Sequence, residues 1–506
     1  FMSSDSDISK GVSPDFQLIT NEDTRKAFEQ FLELALKFME DNLKPETKVV
    51  KFQTPAELRS VFSTQLPEKG VGLLGILEDI EKTLEYSVRT GHRRFFNQLW
   101  AGTDKAAILG EWLTAILNTS MYTWEVAPVF SIMELYMIER LHSFIGWDSK
   151  KSDGVFAPGG SHANLLAVIA ARNAANKDIK HKGVAKAMGG KQLVGFTSRQ
   201  SHYTIKRAMS VIGIGTEHSV YVEADQYGRM IPAKLEEAVK AALEAGHHPF
   251  FVNATSGTTV LGAYEDLEGI ADVAEKYNLW MHIDACWGGH CLVSKKYRHK
   301  MKGCDRADSI AWTGTKCFGL PQQCAALLLR EKNVLRNCNS MNEDYLFHDH
   351  EEKEFDLGDR TLNCGRRVDV LKLWMAWKVH GQQGFEQRVD HAFDQAAYLA
   401  KRIKASNGVF ELINDPVDSL NVCFFYVPPK ARSMKVGSKE RIALLDKATL
   451  TIRRRLQLEG TCLFNYSDLP GMEGHFFRFI TCNPSAGHKD LDFCLAECER
   501  LGKDIE

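Results

Sequence analysis

Five short stretches of this 506-residue chain carry side chains that could do chemistry, and they follow one another in order. Pro158-Gly159-Gly160-Ser161-His162-Ala163-Asn164 precedes an apolar helical pattern, Leu165–Asn176. Two glycines and a serine ahead of a helix can offer backbone N–H groups and the positive helix end to an anion. Ser201-His202-Tyr203-Thr204-Ile205-Lys206 places an imidazole after a short apolar run, and Asn253–Thr259 sets hydroxyls and a glycine at the end of another. Asp284, in His282-Ile283-Asp284-Ala285-Cys286-Trp287-Gly288-Gly289, stands inside an apolar run. A carboxylate there is costly to bury unless a cation pairs with it. Finally, Ser309-Ile310-Ala311-Trp312-Thr313-Gly314-Thr315-Lys316 puts a lysine just past a further run, 32 residues after the aspartate. A lysine in an apolar setting can serve as an amine nucleophile and form a Schiff base. Taken singly, each stretch has an ordinary reading: a loop, a satisfied histidine, a turn, a helix cap, a surface lysine.

Together they fit one cofactor. Pyridoxal phosphate needs a phosphate cradle, a side chain stacked on its ring, a carboxylate at the pyridine nitrogen and a Schiff-base lysine. The chain supplies cradle, histidine, aspartate and lysine in that order, each next to a short apolar run.

Those runs are the elements that must position the chemistry. Gln192–Thr197, Ser219–Glu223, Pro249–Thr255, Leu279–Ala285, Ser309–Trp312 and Cys324–Leu329 have strand length. Helical patterns separate several of them; Ala233–Ala245 stops at Gly246, and Leu267–Tyr277 is a second. Alternating strands and helices predict an α/β fold with a large, mostly parallel sheet covered on both faces. Ligands of such sheets bind beyond the carboxyl ends of the strands. A helix is expected over Asn21–Asn42, after a polar stretch 1–20 expected to fray. A long helical stretch, Val368–Ala405, leads into a tail with strand-like Leu420–Val427 and His475–Thr481 and helix-like Glu440–Glu459 and Lys489–Leu501. The expected division is a partly helical N-terminal segment (1–115), a large cofactor-binding domain (116–390) and a small C-terminal α/β domain (391–506).

Composition narrows the class. Apolar residues are 44% and charged residues 25%, ordinary for a globular protein. Lys+Arg is 63 against 65 Asp+Glu, a net charge of −2, which argues against nucleic-acid binding through bulk positive charge. No apolar run reaches membrane-span length, so no membrane partner is expected. The first residues lack the basic and apolar regions of a secretory signal. The 12 cysteines contain no C-x-x-C pair, so we expect reduced thiols, no metal site and a cytoplasmic location.

From Arg94 to Leu501 the sequence resembles the group II pyridoxal-phosphate amino-acid decarboxylases of the aspartate-aminotransferase fold (fold type I). Within that family it is most like the glutamate, cysteine-sulfinate and acidic amino-acid branch. The resemblance is carried by F-F-N-Q-L, T-x-E-x-A-P-V-F (Thr123 to Phe130), P-G-G-S, S-H-Y-T-I-K, N-A-T-S-G-T-T-V-L-G-A, H-I-D-A-C-W-G-G, D-R-A-D-S-I-A-W, C-G-R-R-V-D and F-F-R-F. It implies that Lys316 holds the cofactor, Asp284 pairs with the pyridine nitrogen and His202 stacks on the ring. Gly160, Ser161, Asn164, Thr313 and Thr315 would lie around the phosphate or its loop, with Thr255 and Thr258 near the cofactor. It also implies a homodimer with active sites at the interface. Arg478, in F-F-R-F, matches the arginine that takes the distal acid of the substrate, and Gln98 would add a hydrogen bond. Trp100, Ser120 and Tyr122 resemble the cysteine-sulfinate type and Met121 the glutamate type. A bulky Trp100 implies a short acid: cysteine sulfinate, cysteate or aspartate, giving hypotaurine, taurine or β-alanine. The alternatives are γ-aminobutyrate formation from glutamate, an aldehyde-forming member and a catalytically silent homologue.

The chain departs from the family pattern in three places. Thr315 replaces the histidine that usually precedes the lysine. His162 and Ala163 stand where an aliphatic residue and a serine are common. The segment Phe347–Asp359 is about two residues shorter than in the animal enzymes and leaves no obvious place for the family's loop tyrosine; His348 and His350 are candidate proton donors there.

Overall fold

The computed structural model describes residues 22–62, 65–341, 343, 345–348 and 351–506. The predicted frayed stretch 1–20 and His350 lie outside the described residues. The chain forms two compact units.

The first unit takes the chain up to Phe95 together with Thr451–Leu463 and Ser485–Leu501. The predicted first helix is present as Glu22–Asp41. Segments far apart in sequence are tied by the Val49 N–H, which donates to Gly460 O at 2.8 Å. The Arg93 guanidinium donates twice, at 2.8 Å each, to the buried Asp490 carboxylate. Such a fork-to-carboxylate bond fixes geometry as well as adding energy.

The second unit comprises Phe96–Leu450, Phe464–Pro484 and Gly502–Glu506, and it contains every candidate site residue. Its large sheet has seven strands. They are β1 (Asp153–Ala157), β2 (Leu193–Ser198), β3 (Ser219–Val222), β4 (His248–Thr255), β5 (Trp280–Ala285), β6 (Ser309–Thr313) and β7 (Ala325–Leu329). Their spatial order is β1-β7-β6-β5-β4-β2-β3. From β6 to β3 all pairings are parallel, and β7 runs against both of its neighbours. The sheet is thus parallel except for β7. Strands β4 to β7 are buried almost end to end, which explains why they read as largely apolar runs with no exposed polar face. β1 was not anticipated: it opens Asp153-Gly154, residue types depleted in strands. Asp153 is nonetheless buried, because the Arg360 Nη1 donates to it at 3.0 Å.

The helix Gly160–Ala175 leaves the end of β1 and lies on the sheet. Its Ala163, Leu166, Ala167 and Ala170 pack with Ala311, Leu327 and Leu329 in one fully buried cluster. The alanines let helix and sheet approach closely, and each buried leucine contributes roughly 1.5–3 kcal/mol.

A second, antiparallel sheet contains β8 (Phe410–Leu412), β9 (Asn421–Tyr426), β10 (Leu463–Ser467) and β11 (Phe476–Ile480), in the order β10-β11-β9-β8. The predicted long helix spans Val370–Lys404 and is broken at Gly381, with φ 61° and ψ −178°. No helix among the described residues is long and apolar enough to cross a membrane.

Candidate active site

Asp284 is the penultimate residue of β5 and is 5% exposed. Its Oδ2 accepts a hydrogen bond from Asn164 Nδ2 at 2.9 Å and its Oδ1 one from the Cys286 N–H at 3.1 Å. Burial pushes its pKa up, but the Lys316 cation and the Asn164 bond outweigh this and hold it below the usual carboxylate value. His202 Nδ1 lies 3.0 Å from Thr204 Oγ1. Burial lowers the His202 pKa, so the ring is neutral near pH 7. Lys316 follows the end of β6, beside β5 in the sheet.

The loop between β1 and the helix Gly160–Ala175 is the segment expected to form the cradle. Gly159 has φ 92°, a left-handed value that side chains disfavour. A Cβ on Gly160 would stand 2.5 Å from Cys286 Sγ, so only glycine lets this turn close onto β5. The first helical N–H groups lack intrahelical acceptors and suit an anion.

These parts enclose a cleft of about 340 Å³. Trp100, Gly160, Ser161, Asn164, His202 and Thr255 line it, as do Asp284, Thr313, Thr315 and Lys316. Thr313 Oγ1 is buried among them with no hydrogen-bond partner. Thr258 is not part of the wall: its hydroxyl accepts from the Ala263 N–H at 3.0 Å, and its neighbour Thr259 lines the cleft instead. Gln98, Ser120, Tyr122 and Arg478 are also absent from the wall. Ser120 Oγ accepts from the Arg366 N–H at 3.1 Å, and the Tyr122 ring lies 5.0 Å from that of Phe347. His348 is exposed, with Nδ1 3.9 Å from a Glu125 carboxylate oxygen.

Arg478 sits on β11 and is 8% exposed. Its Nη1 donates to Thr259 O at 3.3 Å, and its Nε is buried without a partner. Among the described residues no carboxylate pairs with it.

Two arrangements escaped the sequence reading. Arg366 donates through Nη2 to Glu134 Oε1 at 2.6 Å and through Nη1 to Met121 O at 2.8 Å, clamping the segment that holds Ser120 and Tyr122. Asn164, read as part of the phosphate loop, bonds instead to Asp284, Thr204 and His282. The only sequence signal for this was the alternation Trp280-x-His282-x-Asp284 within an apolar strand.

An anion cradle at a helix start, a buried carboxylate and a nearby lysine in one cleft fit a phosphorylated pyridine aldehyde. Gly160 supports the fit, since the lost Cβ leaves the cradle pressed on the strand that carries Asp284. The chain matches the pyridoxal-dependent decarboxylase conserved domain over residues 55–427 and belongs to that family, the group II pyridoxal-phosphate decarboxylases. The family's cofactor is pyridoxal 5′-phosphate, and its members act on amino acids. More particularly, the chain is similar to mouse cysteine sulfinic acid decarboxylase, at 40% identity and a TM-score of 0.90, covering 96% of this chain and 100% of that one. Catharanthus roseus tryptophan decarboxylase shares the fold at 20% identity and a TM-score of 0.84 (97% and 100% covered). Rhodiola rosea 4-hydroxyphenylacetaldehyde synthase does so at 21% and 0.82 (96% and 98% covered). The fold-type-I reading of the sequence is borne out, and the chain is a pyridoxal-phosphate-dependent amino-acid decarboxylase.

Proposed function

We propose that the protein is a homodimeric α-decarboxylase of a short acidic amino acid: cysteine sulfinate, cysteate or aspartate, yielding hypotaurine, taurine or β-alanine. The observation that carries this reading is Arg478, a buried guanidinium with no carboxylate partner among the described residues. A desolvated, unpaired cation favours an anionic ligand, and a planar fork suits a carboxylate or sulfinate. Arg478 is not on the wall of the cofactor cleft but bonds the carbonyl of the wall residue Thr259; Trp100 lines that cleft, and its bulk favours the shorter acids.

In this reading Lys316 attaches the cofactor, and the N–H groups of the first helical turn, with Ser161 and Thr315, hold its phosphate. Bound there, pyridoxal phosphate supplies an electron sink for the bond that breaks as CO₂ leaves. Asp284 keeps a proton on the ring nitrogen, and its own lowered pKa ensures that it is the ionised partner. The His202 imidazole, on the cleft wall, would lie against the bound ring and keep water from it. Arg478 anchors the distal acid, so the α-carboxylate is presented in one orientation; such positioning contributes several kcal/mol in general.

The dimer is supported by an apolar surface on two helices. Leu109 and Ile116 share a face of Lys105–Leu117, and Val129, Ile132 and Tyr136 share one of Pro128–Ile145; all are exposed in the single chain.

The test is CO₂ release from equal concentrations of cysteine sulfinate, cysteate, aspartate and glutamate, with pyridoxal phosphate present. Preference for the three shorter acids supports the reading. Preference for glutamate removes the role given to Trp100, and no release from any of them refutes the assignment of substrate class.

A further inference from the structure

Trp280, His282 and Asp284 point to one face of β5, because strand side chains alternate. Ser309 is the register partner of His282 on β6. Together with Asn164 these residues form an unbroken hydrogen-bond chain. Trp280 Nε1 donates to Ser309 Oγ at 2.9 Å. Ser309 Oγ is 2.8 Å from His282 Nδ1, and His282 Nε2 is 3.0 Å from Asn164 Oδ1. Asn164 Nδ2 donates to Asp284 Oδ2 at 2.9 Å and to Thr204 Oγ1 at 3.0 Å.

The direction of the chain is set at its carboxylate end. The ionised Asp284 can only accept, so the Asn164 amide turns its N–H groups to Asp284 and Thr204 and its Oδ1 to His282. His282 therefore donates from Nε2, and its bare Nδ1 accepts from the Ser309 hydroxyl, which itself accepts from the Trp280 indole N–H. The Thr204 hydroxyl in turn donates to His202 Nδ1, 3.0 Å away. His282 is fully buried, and burial holds its pKa down to about 4, so the neutral tautomer persists across the working range.

We propose that His282 and Ser309, neither of which touches the cleft, are positioning residues that lock the Asn164 amide and thereby orient both the carboxylate at the cofactor ring nitrogen and the imidazole over the ring. The inference rests on the pairing of Asp284 with the ring nitrogen proposed above. Without the His282 donor Asn164 Oδ1 is left buried with no partner, the amide is held only from the Asp284 and Thr204 side, and the carboxylate it bonds is less firmly aimed at the ring nitrogen.

Two polar substitutions separate this role from a merely structural one. His282→Gln keeps a donor where Nε2 stood, whereas His282→Asn reaches only the Ser309 side. The measurements are pyridoxal phosphate affinity of the full-length apoprotein and the ¹⁵N resonance of the ring nitrogen in labelled bound cofactor. We expect affinity to fall tenfold or more in His282→Asn, with the resonance moved toward the unprotonated ring, and to stay within threefold of wild type in His282→Gln. Ser309→Ala, which removes one hydroxyl from the chain, should fall three- to tenfold. Asp284→Ala is the control for the underlying assignment. If it binds cofactor with an unchanged resonance, the Asp284 pairing itself is wrong. If it is impaired while His282→Asn matches His282→Gln, or while Ser309→Ala matches wild type in both measurements, the positioning chain is refuted.

Discussion

Replacing Gly160 by alanine tests the cradle with one carbon. The new Cβ would stand 2.5 Å from Cys286 Sγ and 3.4 Å from Thr313 Oγ1. Non-bonded heavy atoms settle at about 3.5–4.0 Å, so cradle and strand must separate by roughly 1 Å. Overpacking of this kind costs about 1–3 kcal/mol, and the displaced parts are those that would hold the phosphate and the ring. If the strain is relieved only when cofactor is absent, pyridoxal phosphate affinity falls roughly 5- to 150-fold. The assay is a titration of the apoprotein with cofactor, followed by absorption. The companion change is Cys286→Ala. It removes the sulfur and leaves Cys286 Cβ 3.4 Å from the new methyl, a close but tolerable contact. Burial pushes the Cys286 thiol pKa well up, so no thiolate function is lost with it. The double variant should therefore recover at least half of the lost binding energy, a coupling within the usual range for touching residues. Unchanged affinity in Gly160→Ala, or a double variant no better than the single one, would refute the reasoning.

Three further outcomes are expected. Arg366→Met leaves Glu134 buried without its cation and should cost about 3–5 kcal/mol in urea unfolding; a loss below about 1 kcal/mol would deny the pair its clamping role. Gly381→Ala meets no atom within 4 Å, so its cost is backbone strain alone, about 1–3 kcal/mol, read as a lower thermal midpoint; an unchanged midpoint would contradict it. Burial raises the Glu265 carboxyl to about 7, despite N–H donors from Thr255 at 2.7 Å and Met230 at 3.2 Å. The folded state thus binds this proton more tightly than the unfolded chain. Its contribution is full below the unfolded value near 4.5 and is lost, by about 3 kcal/mol, as pH rises through 7. The fall in thermal midpoint from pH 5 to pH 8 should be shallower in Glu265→Gln, and an equal slope would sink the assignment.

Much of the large sheet was legible because its strands are buried on both faces. The observed β4, β5 and β6 differ from the predicted runs by a residue at an end. β1 was not legible, since Asp153 and Gly154 are poor strand formers and their strand is held by a side chain two hundred residues away. Nor was the reversal of β7, because burial makes parallel and antiparallel core strands read alike. The cleft residues were legible through family motifs and through their position at strand ends. What those motifs did not tell was which polar side chain faces a ligand and which faces another side chain. Thr258 and Asn164 both sit in matching stretches, yet one hydroxyl closes a turn and one amide supports the carboxylate. The Arg366–Glu134 pair joins residues 232 positions apart, a pairing that no local pattern encodes.

The proposed substrate anchor and the proposed chemical groups have separate foundations. Asp284 and Lys316 issue from the large sheet, Arg478 from the small antiparallel one, and the Arg478 bond to Thr259 O joins the two. If Arg478 anchors the substrate as proposed, the choice of side chain and the groups that hold the cofactor are carried by different sheets, so a change on β11 would alter what is admitted with less effect on Asp284 and Lys316.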